Sequence, residues 1–418
     1  MTLQAVAGGG VSKDATGVDP LKGLKIGLIA TVSYHLVSQL GGQAEYLRGL
    51  GMSVVLASSA GPEVAKIRTG EDLRYEIIEI PRSLSPLQDM VALVRLTQLF
   101  FRHRFDLIHS TTPKAGLLTA LAAFIAMVPV RLHTFTGQPW VTLKGPLRWA
   151  SRMADRLIGF LDTKCYADSG SQARFLIDER IIPPRKMAVI GHGSLAGVDL
   201  ERFNPDKWSP AAKQAHRKEL SISPSSILLI FVGRITPDKG ISELIEAFSG
   251  LLCMNYDVDL LLVGPQDRDR GGTGSLDLSE AEKCPRIHAI GYSACPERHL
   301  AVADIFCLPS YREGFGTVVM EAAAMGLPTV GTAIYGLTDA IADGDTGILV
   351  PPHDAGALRD ALRRLLDCPD ERIRMGKAAR QRCLDLFDAA RVNAAVAEEY
   401  RNVLQAKRLS PGKISSER

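Results

Sequence analysis

Along almost its whole length the chain alternates short runs of β-branched and apolar residues with longer amphipathic stretches, and no other feature constrains the fold as much. The short runs read as strands buried on both faces, and the stretches between them as helices that cover a parallel sheet. Strands are expected first at 25–30, 53–57, 107–110 and 130–134. A second series follows at 227–232, 259–263, 305–308 and 329–331, with helical patterns such as 87–102 and 240–252 between strands. The stretch 203–226 is polar and carries Pro205, Pro210 and Pro224, so the domain break and hinge are expected there. The expected organisation is a loose tail at 1–21, an α/β domain at 22–205, a second at 206–385, and a closing segment at 386–418 whose helix, near 395–404, returns to the first domain.

Composition narrows the possibilities. With 418 residues, 46% hydrophobic and 23% charged, the chain can bury two large cores and is neither disordered nor fibrous overall. Its 49 basic and 46 acidic residues leave a formal charge of +3, too small to make nucleic acid the expected partner. Seven cysteines, an odd number with no C-x-x-C pair, indicate neither a disulfide framework nor a zinc site and suit a reducing, cytoplasmic setting. The longest apolar run, 14 residues from Leu117 to Val130, is shorter than the about 17 a membrane span needs and reads as a buried helix entering a strand. The first twenty residues lack the basic start and continuous apolar core of a signal peptide.

Two segments carry chemistry. PSYREGFGTVVME at 309–321 places a Gly-containing turn between a strand and a helix that begins near Thr317. Unpaired backbone N–H groups in such a turn and at a helix start suit phosphate or sugar oxygens. Glu313 lies on the turn and Glu321 eight residues on, so both carboxylates can border the crevice at the strands' C-terminal ends, where open α/β sheets bind ligands. A carboxylate accepts two hydrogen bonds and so fits the vicinal diol of a ribose. The second segment, FVGRITPDKG at 231–240, also follows a strand, and Arg234 and Lys239 would set two fixed cations at the crevice mouth, suited to a diphosphate.

VGRITPDKG at 232–240, followed by the E-x7-E segment EGFGTVVME at 313–321, resembles the family-4 group of retaining, nucleotide-sugar-dependent glycosyltransferases. Gly264-Pro265, Gly291-Tyr292 and ADIFCLPS at 303–310 fit the same group. The resemblance implies the α/β architecture called GT-B, two Rossmann-like domains with parallel sheets facing across a cleft. HSTTPKAGLL at 109–118 and GHGSLAGVDLERF at 191–203 resemble a narrower branch of peripheral bacterial enzymes. That branch extends polyprenyl-diphosphate-linked sugars for capsule, O-antigen or protein glycosylation.

Carried over by position, the resemblance implies that Arg234 and Lys239, with Gly233 beside them, hold the diphosphate of a nucleotide-sugar donor, expected to be a UDP-sugar. Glu313 then contacts the donor sugar, the amides of Gly314, Phe315, Gly316 and Thr317 line its pocket, and Glu321 takes the ribose hydroxyls. Glu313, Arg234 and Lys239 form the expected catalytic set. Preplaced cations favour the charge that grows on the leaving diphosphate, and in a front-face retaining reaction that phosphate can accept the acceptor's proton. No side-chain base, cofactor or metal is then required. The acceptor expected is a lipid-linked sugar, with Lys114, His133, Thr136 and Gly137 as acceptor-side candidates.

The chain departs from the family pattern in two places. Many relatives carry a His immediately before the Gly of the segment matching Phe135-Thr136-Gly137; here Thr136 stands there, with His133 either a substitute or a structural residue. Gly41-Gly42 falls beyond the loop where relatives use a Gly pair to approach the diphosphate. Asp257-Val258-Asp259 imitates a metal-binding D-x-D of another glycosyltransferase fold but reads as a turn opening a strand. Asp267–Arg270 and the glycines after it read as a polar loop, and neither a G-x-x-x-x-G-K-[ST] loop nor a G-x-G-x-x-G after the first strand is present.

Charge is uneven: residues 101–160 carry 8 basic and 2 acidic residues. If 146–160 is helical, Arg148, Arg152 and Arg156 share a face near Trp140, Val141, Leu143, Leu147, Trp149 and Met153. An anionic membrane surface at the inner face of the cell membrane is the expected partner; a solvated face is the plain alternative. Two other functions stay open at this point: a nucleotide-sugar epimerase on the same fold, and a non-catalytic relative that binds nucleotide or glycan.

Overall fold

The computed structural model describes residues 19–67, 69–266, 278–279 and 281–409, which divide into two compact units. The tail at 1–18 and the polar loop at 267–277 lie outside the described residues.

The first unit contains Gly197's predecessors and the last helix, Ala389–Leu409, from Ala390 onward. Its seven strands are β1 (Lys25–Val32), β2 (Ser53–Ser59), β3 (Leu73–Ile77), β4 (Leu107–Thr111), β5 (Val130–Phe135), β6 (Lys164–Ala167) and β7 (Met187–Ala188). They form one parallel sheet in the order β3-β2-β1-β4-β5-β6-β7. The second unit, Gly197–Ala389, holds β8 (Ile227–Val232), β9 (Val258–Val263), β10 (Ile287–Ala289), β11 (Ile305–Leu308), β12 (Thr329–Thr332) and β13 (Gly347–Val350). These are parallel too, in the order β10-β9-β8-β11-β12-β13.

Burial explains why the central strands were legible. Leu228 to Phe231 and Leu260 to Leu262 are completely buried, as residues covered by helices on both sheet faces must be. Asp259 is buried within β9 as well, and its charge is matched by Arg286 at 2.9 Å and His288 at 2.8 Å. Asp257 pairs with the same Arg286, so this D-x-D begins a strand and binds cationic side chains. The apolar run after Lys114 forms the helix Pro113–Ile125 and then enters β5, and no helix among the described residues is long and apolar enough to cross a membrane.

The domain break lies at Gly197, not at 203–226. Phe203 and Ile222 are core residues of the second unit. Pro205 and Pro210 open a 3-10 turn and the helix Pro210–Glu219, where the missing N–H is no loss. Two of the three prolines that read as linker signals are therefore helix starts. Val198 bonds along the returning chain, from its N–H to Phe387 O at 2.7 Å and from the Ala389 N–H to its own carbonyl at 2.9 Å.

The last helix packs on the first unit through Val396, Ala397, Tyr400 and Leu404. It is also tied there by polar bonds: Tyr400 to His109 Nδ1 at 2.6 Å, Glu399 to the Tyr166 hydroxyl at 2.8 Å, and Arg401 to Asp19 at 2.6 Å.

Candidate functional site

In the second sheet the strand order reverses between β8 and β11, which connect to neighbours on opposite sides. Adjacent loops part at such a point and leave a crevice at the strands' C-terminal ends. The two segments singled out in the sequence are the loops that follow these two strands.

After β8 the chain runs through Gly233 to a 3-10 turn, Pro237–Lys239, and then reverses at Gly240 into the helix Ile241–Cys253. Gly240 has φ +67°, and a Cβ there would lie 2.0 Å from the Pro309 carbonyl oxygen, so only glycine lets the two loops approach this closely. After β11 the chain passes Pro309 to Gly316 and enters the helix Thr317–Ala324, with Gly316 at φ +82° as its N-cap and no side chain capping it.

Side chains join the loops. Lys239 Nζ lies 2.5 Å from Glu313 Oε1, which also accepts a 2.8 Å bond from the Ser310 hydroxyl. One residue back on each loop, Arg312 pairs with Asp238 at 2.8 Å. The Tyr311 N–H donates to the Asp238 carbonyl at 2.9 Å. Burial alone would raise the Asp238 carboxyl; Arg312, the Thr236 hydroxyl at 2.6 Å, Lys239 and Arg234 outweigh it and bring its pKa to about 2. Three cations, Arg234, Lys239 and Arg312, thus stand around one firmly ionised carboxylate.

Glu321 has a different environment. Burial lifts its pKa to about 7, Arg202 pulls it down and Glu297 adds to the rise. Arg202 is itself held by Glu297 at 2.9 Å and by the Ala294 carbonyl at 2.8 Å. The two glutamates of the E-x7-E segment therefore have separate partners: Glu313 meets Lys239 and Ser310, and Glu321 sits near Arg202 and Glu297. Phe315 is 2% exposed with its ring 5.2 Å from Phe387, so only its main chain faces the turn. Asp238, Arg312, Ser310 and Arg202 were not singled out from the sequence, although the first three lie inside the two segments.

The acceptor-side candidates all lie in the first unit. His133 is inside β5, 1% exposed, with Nδ1 bonded to the Ser110 hydroxyl at 2.8 Å and its ring edge-on to Phe135. Burial, with His109 adding to it, lowers its pKa to about 3, so the ring is neutral. It is a core histidine on a strand covered on both faces, and Gly116 of the helix Pro113–Ile125 lies over it: a Cβ there would come within 2.3 Å of its ring. Lys114 is paired with Asp89 at 2.6 Å. Thr136 is half-buried just beyond β5 and Gly137 follows with φ +112°.

The helix Gly145–Leu161 forms as expected. Trp140, however, is 1% exposed and donates to Asp155 at 2.7 Å, so it belongs to the core and not to a surface. Arg152 pairs with Glu179 at 2.7 Å and Arg156 bonds the Arg180 carbonyl at 3.2 Å. Leu147, Trp149, Leu157 and Phe160 remain exposed, Phe160 by 77%, alongside exposed Lys144 and Arg148.

The family model described as glycosyl transferases group 1 matches residues 212–382, and that of a glycosyl transferase 4-like domain matches 37–193. The capsular polysaccharide biosynthesis glycosyltransferase CapM of Staphylococcus aureus is 29% identical, over 88% of this chain and 94% of its own. The UDP-Gal:alpha-D-GlcNAc-diphosphoundecaprenol alpha-1,3-galactosyltransferase of Escherichia coli is 27% identical over 68% and 73% of the two chains. Among solved structures, Anabaena Alr3699/HepE in complex with UDP-glucose matches with a TM-score of 0.74 at 20% identity, over 91% of this chain and 100% of that one.

Proposed function

This chain belongs to the family-4 glycosyltransferases of GT-B fold, enzymes that transfer sugars, and from that premise we propose that it moves a hexosyl or N-acetylhexosaminyl group from a UDP-sugar to a lipid-linked saccharide, with retention, in cell-surface polysaccharide assembly. The observation that carries this reading is the meeting of Lys239 and Glu313 at the switch point of the second sheet, with Arg234 acting on the same Asp238. The similarity to a capsular enzyme and to a diphosphoundecaprenol-dependent one supports the acceptor class.

In the proposed reaction the bond from the anomeric carbon to the diphosphate oxygen breaks, and the acceptor oxygen bonds to the same face of that carbon. The acceptor's proton passes to the leaving phosphate. Arg234 and Lys239 stabilise the charge that grows on the diphosphate, the amides from Gly314 to Thr317 and the Glu313 carboxylate hold the sugar, and Glu321 holds the ribose. The test is nucleoside diphosphate release from UDP-sugars with and without a polyprenyl-diphosphate-linked sugar, in chelator. Release that depends on the acceptor, persists in chelator and yields a product of unchanged anomeric configuration by NMR is expected. An inverted product, an absolute metal requirement, or donor interconversion without acceptor would overturn the corresponding part.

The same reading places the enzyme at the cytoplasmic face of an anionic membrane. Exposed Leu147, Trp149, Leu157 and Phe160 can enter an interface, while Lys144 and Arg148 meet lipid headgroups at about 1 kcal/mol each. Arg152 and Arg156 add less, because both already bond within the chain. Liposome flotation should show salt-sensitive binding to anionic vesicles that falls in a Trp149→Ser, Phe160→Ser double variant. Binding indifferent to both changes and to salt would reject the surface.

A further inference from the structure

Two consecutive residues of one loop pair with two consecutive residues of the other: Asp238 with Arg312 and Lys239 with Glu313. The pairs are not equivalent. If Lys239 holds a diphosphate and Glu313 a sugar, their mutual bond must yield when the donor arrives. Asp238 has no such release. Its Oδ2 is taken by Arg312 and its Oδ1 by the Thr236 hydroxyl, and its main-chain carbonyl by the Tyr311 N–H. Yet it is a carboxylate adjacent to the residue assigned to phosphate, where a bare negative charge would repel the ligand.

We propose that the Asp238–Arg312 pair is a charge-compensating clamp of the donor site: Arg312 pins the Asp238 carboxylate and cancels the charge that it would otherwise turn on a bound diphosphate. This rests on the donor-site reading above. Both side chains are 18% exposed, so solvent screens the pair only partly. Asp238 and Arg312 are positioning residues; they act on the ligand through charge and through Lys239.

A brace and a charge compensator differ in sign. Removing either half of a brace weakens ligand binding. Removing Arg312 from a compensator exposes a negative charge, whereas removing Asp238 uncovers a positive one. Titration calorimetry of the full chain with UDP, and with GDP as a second probe, separates them. Arg312→Gln should weaken UDP binding by about tenfold or more, and Asp238→Asn should tighten it by about threefold or more while kcat falls, because product leaves more slowly. The double variant should return to within about threefold of wild type, since both charges are gone. Arg312→Lys should also bind within about threefold of wild type, and this arm carries the test if the Gln variant does not fold. Weaker binding in both single variants, without recovery in the double, would overturn the clamp and leave the donor site standing. A wild-type chain that binds neither nucleotide would overturn the donor-site reading and the clamp with it.

Discussion

Lys239→Ala is expected to lower kcat/KM for sugar transfer by about 10²–10³-fold, a loss of about 3–4 kcal/mol of transition-state stabilisation. Lys239 is one of two cations assigned to the departing diphosphate, and its 16% exposure means that water replaces it poorly. The change also takes the Lys239 ammonium from Glu313, 14% exposed, whose Oε1 keeps the Ser310 hydroxyl. Losing a charged partner of a partly buried carboxylate costs about 1–3 kcal/mol, so the variant should melt a few degrees lower while remaining folded. Lys239→Arg should keep the stability and recover part of the rate, since it restores the charge but not the compact ammonium geometry. Steady-state kinetics of the three proteins beside their thermal melts decides the matter. Near wild-type kcat/KM in Lys239→Ala would remove the residue from the donor site.

The second large effect has two signs in one variant. Glu321 titrates at about 7 because burial disfavours its charge, against the partial relief of Arg202. An unfolded glutamate loses its proton near 4.5. As pH rises from about 4.5 to 7 the unfolded chain therefore releases a proton that the folded chain keeps. Native stability drops over that window, and above about 7 the full penalty of about 3 kcal/mol is present. Glu321→Gln removes the penalty, so it should melt several degrees above wild type at pH 8 and alike at pH 4.5. Function should move the other way. An ionised carboxylate accepts both ribose hydroxyls, and the loss of a charged acceptor is worth about 2 kcal/mol, or roughly 30-fold in donor affinity. Wild-type affinity should rise with pH through about 7, and the Gln variant should be weaker and flat. A variant that loses stability at pH 8, or that binds nucleotide with the wild-type pH profile, would show that Glu321 serves the fold alone.

Much of this site was readable before any coordinates. Strand–turn–helix punctuation put VGRITPDKG and EGFGTVVME on βα loops; the charges of Arg234 and Lys239 suited a diphosphate, and the family resemblance supplied that expected role. The long strands were readable for the same reason: residues buried on both faces must be apolar without interruption, as Leu228 to Phe231 are. Short strands escaped. Met187–Ala188 has two residues and Ile287–Ala289 three, too few to show a period. The domain break was misplaced because proline marks helix starts as readily as linkers, and Pro210 is a helix start.

Sequence by itself determined the fold class, because burial sets apolar runs and turns demand glycine at fixed positions, and the resemblance of VGRITPDKG and EGFGTVVME pointed to the family. Tertiary structure alone decided which residues meet. That Asp238 faces Arg312, 74 positions further along the chain, depends on β8 and β11 being neighbours in the sheet, and strand order leaves no mark on either loop's own sequence. The same holds for His133 and Trp140, which look like ligand and surface groups in one dimension. They are core because of what packs over them: Ser110 on the neighbouring strand and Asp155 on the following helix, each holding a ring that sequence leaves unplaced. Pairing across distance is a property of the whole chain's packing, and only the folded molecule expresses it.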